Sequence, residues 1–163
     1  MGVGKEGKPL DVDARPIVAG EVWRKLTFKC TLATDRSHVI EHLAPQQFSV
    51  GVSGGVDAVI HSSRSWIEDH LCDNDAVFLA RDKKNAFNAA NPSEFLSDCA
   101  EHMPDSARFA EYCYGAHVNL VYHKSVMKSY RGQQGCPAMG PMYCLMQKRF
   151  SDEARSVASG SCF

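Results

Sequence analysis

The chain lacks any run approaching the roughly 20 apolar residues that a membrane-spanning helix needs, and its first residues, rich in glycine and lysine, have no apolar core. Neither a membrane anchor nor a secretory signal is expected. No C-x-x-C pair occurs among the seven cysteines, whose odd number and irregular spacing do not suit a disulfide framework. Reduced thiols in an intracellular protein, nuclear or cytoplasmic, are the expectation. Strong charge is missing as well: the formal net charge is −1 at pH 7, which is not that of a strongly basic nucleic-acid binder. No internal repeat is present.

What is present is an ordinary globular composition, 163 residues with 44% apolar, enough for one domain or two small lobes sharing a core. Charge is unevenly spread. Residues 68–105 carry nine acids and three bases, and residues 121–155 carry six bases and two acids. That pattern suits a metal-binding acid near a basic track, and equally suits solvated helix faces.

Apolar spacing predicts a helix over Gly20–Leu32 and a second over Ser37–Leu43, stopping before Pro45. Gln46–Gly55 reads as a loop. Val56, Val59, Ile60, Trp66, Ile67 and Leu71 form one face of a helix over Gly55–Leu71 and are expected to pack on a neighbouring lobe. Asn91-Pro92 opens a helix that ends at Pro104, and Asp105 is expected to cap the next, closed by Gly115. His117–His123 and Ser125–Tyr130 read as strands. A loop from Arg131 to Pro141 leads into a helix at Met142–Phe150, and residues 151–163 show no strong pattern. The fold class expected is α+β.

The most informative stretch is Val77–Asn88. Val77–Ala80 is a short apolar run that predicts a buried strand, ending near one carboxylate, Asp82, before the turn formers Asn85 and Asn88. A strand that fixes one carboxylate at its rim suits a hard divalent cation, which takes carboxylate and phosphate oxygens. Asp82-Lys-Lys-Asn85-Ala86-Phe87-Asn88 resembles motif A of reverse transcriptases, in the D-x-x-N-A-F-N form of non-LTR-type retroelements. Gly132-Gln133-Gln134-Gly135-Cys136-Pro137-Ala138-Met139-Gly140-Pro141 resembles their motif B. Arg15-Pro16-Ile17 and the Leu43–His61 region are similar to the fingers segment, and the pieces come in the family's order over residues 9–150.

The resemblance implies a fingers-plus-palm fragment: 1–8 as a disordered N-terminus, 9–71 as fingers, 72–150 as a partial palm, and 151–163 as a tail outside the family. It implies RNA-templated DNA synthesis by two-metal nucleotidyl transfer, with Mg²⁺ or Mn²⁺ as cofactor and an RNA template, a DNA primer and a dNTP as partners. Asp82 is then the catalytic metal ligand. Ala86 lies under the triphosphate, Phe87 is the steric gate against a ribose 2′-OH, Gln134 and Gly135 shape the nucleotide pocket, and Arg15 meets phosphate charge.

The sequence departs from the family in ways that bear on activity. The motif A aspartate there works with a Y/F-x-D-D turn, and no Asp-Asp pair occurs in these 163 residues. Cys136 stands where Asp is commoner, and Ala138-Met139 adds one residue to motif B. A chain inactive alone is therefore expected. Two alternatives accompany this reading. One is a non-catalytic nucleic-acid-binding remnant using Lys124, Lys128, Arg131, Lys148 and Arg149. The other is a zinc metalloprotease built on His38-Val-Ile-Glu41-His42, which matches H-x-x-E-H and needs a further ligand such as Glu111.

Overall fold

The computed structural model describes residues 17–160; the expected N-terminal segment 1–8, Arg15 and Cys162 lie outside these residues. The elements, in chain order, are helices α1 (Val22–Leu43), α2 (Gly55–Asp69), α3 (Ala86–Ala89), α4 (Pro92–His102) and α5 (Pro104–Tyr114), strands β1 (Val118–Tyr122) and β2 (Ser125–Ser129), and helix α6 (Met139–Gly160). The α+β class holds. The two strands form an antiparallel hairpin in which Leu120 faces Met127.

The core is a packing of α1, α4, α5 and α6. Along α6 the buried residues Met139, Met142, Leu145 and Met146 recur at three and four, which sets one apolar stripe toward the other helices. Phe28 of α1 is fully buried, with its ring edge-on to Phe109 at 4.8 Å. Phe95 of α4 meets Tyr114 of α5 in the same manner at 5.2 Å. Residues expected in the fingers (α1) and in the palm (α4 to α6) thus share one core.

The break expected between Leu32 and Ser37 is absent. Thr31, Thr34 and Asp35 are weak helix formers because their side chains compete for backbone groups, but here those groups are satisfied without breaking α1. Thr31 Oγ1 donates to Phe28 O (3.3 Å) and Thr34 Oγ1 to Thr31 O (2.7 Å). Asp35 is buried and turned toward α5, where its carboxylate accepts from the N–H groups of Asp105 (3.1 Å) and Ser106 (2.9 Å). The cap of α5 therefore comes from α1, 70 residues upstream of Asp105, and not from Asp105 as expected. Asn91 does cap α4, accepting from the Ser93 N–H, with Pro92 in the first turn. Helix α6 extends well past Phe150, so most of the patternless tail is helical; Lys148 pairs with Asp152 one turn on, and Ser151 Oγ donates to Gln147 O (3.0 Å).

Two expectations fail outright. Val77–Ala80 forms no strand, and Val77 and Leu79 are 81% and 77% exposed. Among the described residues, strand pairing is confined to the β1–β2 hairpin, so the run has no sheet to join. The apolar face of α2 does not pack on a lobe either: Gly55 is its one buried residue, and Val56 and Leu71 are 66% and 73% exposed. Its Trp66 ring stacks instead on His70 (4.4 Å) and tilts against Phe78 (5.7 Å).

Candidate functional site

Three segments far apart in sequence meet beside α6. After the extended 77–84 run, Asn85 adopts a left-handed conformation (φ 52°), which turns the chain into the single turn of α3. The 131–135 loop then runs alongside α3. Arg131 Nη1 donates to Ala89 O (3.3 Å), the Gly132 N–H to Ala90 O (3.4 Å), and the Gln134 N–H to Asn88 Oδ1 (3.3 Å). The Val18 N–H donates to Gln134 O (2.8 Å), which ties in the 17–20 segment. Gly132 is needed for this approach, because a Cβ there would collide with Phe87 O. Gly135 has φ +108°, and a Cβ would lie 2.5 Å from Val18 O.

Between α3 and α6 lies a cleft of about 550 Å³. Arg81, Asp82, Lys83 and Ala86 form one wall, and Tyr143, Gln147, Phe150 and Ser151 of α6 form the other. Lys83 Nζ sits 5.5 Å from the centre of the Phe150 ring, within cation–π range. Burial raises the Tyr143 hydroxyl above its usual value, with Cys144 adding to the effect, so it stays a neutral donor at physiological pH. The cleft is thus lined by two cations, one carboxylate and two aromatic rings, and the Phe150 ring carries Arg149 at 5.7 Å as well as Lys83.

Asp82 and Ala86 are brought together on this cleft. The other residues expected at the site are placed differently. Phe87 does not line the cleft; its half-buried ring packs edge-on against Tyr143 at 5.3 Å, against the helical core. Gln134 and Gly135 lie on the adjoining loop, outside the cleft lining. Arg15 is outside the described residues. The α6 wall was not anticipated, although Tyr143, Gln147, Phe150 and Ser151 recur at the four, three and one spacing of a single helix face.

A divalent cation fits this donor set poorly. Asp82 is exposed, is the one carboxylate on the cleft, and stands between Arg81 and Lys83, whose charges oppose a second cation. No group of three His, Cys, Asp or Glu side chains arranged to hold a metal occurs among the described residues. That includes the H-x-x-E-H stretch. His38 and His42 do share a face of α1, but the His42 ring stacks on His102 at 3.7 Å, face against face. Burial, then His102 and Lys148, lower the His42 pKa.

The expected basic track is partly consumed by the fold. Lys148 pairs with Asp152, and Arg149 lies 3.5 Å from Asp98 and 3.9 Å from Glu94. Lys124 and Lys128 are exposed on the hairpin. No helix among the described residues is long and apolar enough to cross a membrane. Comparison with protein-family models, with curated proteins and with solved structures returned no match.

Proposed function

We propose that the chain is a reverse transcriptase-like fragment of a retroelement polymerase that binds nucleic acid and does not synthesise DNA by itself. The observation that carries this reading is the junction of the 82–88 and 132–141 stretches. These are the two stretches that resemble motifs A and B, and the Gln134 N–H joins them by donating to Asn88 Oδ1, 46 residues away. The cleft beside that junction supports nucleotide binding through Arg81, Lys83 and the aromatic rings of Tyr143 and Phe150. The Asp82 environment argues against synthesis. Two-metal transfer needs carboxylates that clamp both ions, and here the cleft is lined by one carboxylate, Asp82, together with Arg81 and Lys83. Phe87, packed on Tyr143, does not act as a sugar gate in this reading.

A labelled RNA–DNA primer–template tests the reading by fluorescence anisotropy. Binding is expected to weaken steeply with salt, and Lys83→Gln is expected to lower the slope of log K against log salt by about 1. Salt-independent binding, or no binding at low salt, would refute it.

A further inference from the structure

We propose that the exposed face of the β1–β2 hairpin is an interaction surface for a second copy of this chain, and that it seats on helix α2 of that copy. The proposal does not rest on the polymerase-like reading. Among the described residues, neither α2 nor the hairpin contributes an apolar side chain to the buried core. Each exposes apolar side chains instead, and contiguous apolar exposure marks interaction sites. On α2, Val56, Ile60 and Ile67 are exposed and fall on one stripe of the helix. The Trp66–Phe78 ring contact holds the exposed Val77–Leu79 run beside it. In the hairpin, Val121 and Val126 lie directly opposite each other, 74% and 64% exposed, and share a face with Asn119 and Lys128. Exposed Tyr130 follows two residues after Lys128, with the His117 ring at 5.6 Å.

The two surfaces differ in charge. Residues 55–80 hold five acids, among them Glu68 and Asp69 in the last turn of α2, against one base, Arg64. The hairpin holds Lys124 and Lys128, and no acid occurs between Glu111 and Asp152. Both surfaces are open within the chain, so they do not cover each other.

This difference selects the occupant. Two hairpins face to face would set lysines against lysines, and two α2 faces would set acids against acids. Like charges across a contact disfavour it. A hairpin on α2 matches apolar with apolar and lysine with carboxylate. A nucleic acid would suit the lysines, but the Val121–Val126 pair offers no ring for a base to stack on. The contact joins two different surfaces and is therefore heterologous. Exposed ion pairs contribute little each, so the contact is weak, and the dilute chain is a monomer with the α2 face open.

The test is sedimentation velocity of the full chain over a range of concentrations, at low and high salt. The sedimentation coefficient is expected to rise with concentration at low salt, and much less at high salt. Lys124→Glu with Lys128→Glu, and separately Glu68→Lys with Asp69→Lys, should each weaken association by about tenfold or more. Lysine in the last turn of α2 suits the helix dipole, so the second variant keeps its helix. An equimolar mixture of the two variants should associate again, because glutamate on one hairpin then meets lysine on the other chain's α2. A wild type that stays monomeric throughout would overturn the proposal. So would undiminished association of either variant alone, a mixture that stays monomeric, or a rise that nuclease treatment abolishes, which would assign the hairpin to nucleic acid. Carbodiimide cross-linking of mixed ordinary and nitrogen-15 wild-type chains reads the contact without a variant. Mixed-isotope cross-links from Lys124 or Lys128 to Glu68 or Asp69 support it, and their absence at associating concentrations counts against it.

Discussion

Asn88 Oδ1 accepts a hydrogen bond from the backbone N–H of Gln134 at 3.3 Å, linking residues 46 positions apart. This bond aligns the 131–135 loop with α3. Asn88→Ala removes the acceptor and leaves the part-buried N–H without it, so a loss of about 1–2 kcal/mol is expected in urea unfolding. Asn88→Asp keeps an acceptor and should lie closer to wild type. Equal losses in the two variants would show that the bond contributes little.

The Asp35 carboxylate caps a helix it does not belong to, accepting from the first N–H groups of α5. Asp35→Ala should destabilise by about 2 kcal/mol, the upper end for a lost cap, because Asp35 is buried. Asp35→Asn keeps one oxygen acceptor and should recover part of that loss. The readout is the urea midpoint at constant slope.

These two contacts mark where the sequence could and could not be read. Helices α4 and α5 and the hairpin were legible because their signals are local: Asn91-Pro92, Pro104, and β-rich runs either side of His123-Lys124. The long α1 was not, because the fate of Thr31, Thr34 and Asp35 depends on partners, one of which is 70 residues away. Val77–Ala80 misled for the opposite reason. Its composition has strand character, but pairing needs a neighbour that composition does not reveal. At the site, Asp82 and Ala86 were found through motif spacing. The α6 wall is not legible because nothing in the Met142–Phe150 sequence marks which face of that helix meets Asp82 and Ala86.

Side-chain burial separates two apolar substitutions. Phe28 is fully buried, so Phe28→Ala should cost about 3–5 kcal/mol. Ile60 on α2 is 43% exposed, so Ile60→Ala should cost less than about 1 kcal/mol. Thermal unfolding of both variants checks the pair. A large effect at Ile60 would mean that its face of α2 is covered in solution.

Acid should loosen the junction of α1 and α4. The pKa of His42 in the folded chain is held below the unfolded value of 6.5, by burial first and then by His102 and Lys148; Glu101 and Asp152 oppose this. Below 6.5 the unfolded chain therefore binds more protons than the folded one. The stabilisation is complete above 6.5 and is lost as pH falls from there through the folded pKa. Asp152, held below its usual 3.8 by hydrogen bonds from Lys148 and Gln46, loses its contribution only at lower pH. His42→Gln should flatten the pH dependence of the unfolding midpoint just below 6.5, and an unchanged slope would remove His42 from the account.

The central claim is binding without synthesis, and one assay reads both. A labelled primer annealed to an RNA template is incubated with the chain and all four dNTPs, in Mg²⁺ and then in Mn²⁺, and both its anisotropy and its length are followed. In-line displacement requires two metals held about 3.5–4 Å apart, and Asp82 is the one carboxylate on a cleft that also carries Arg81 and Lys83. The account predicts a rise in anisotropy and a primer of unchanged length, the same for wild type and Asp82→Ala. Extension by the wild type that disappears in Asp82→Ala would contradict it.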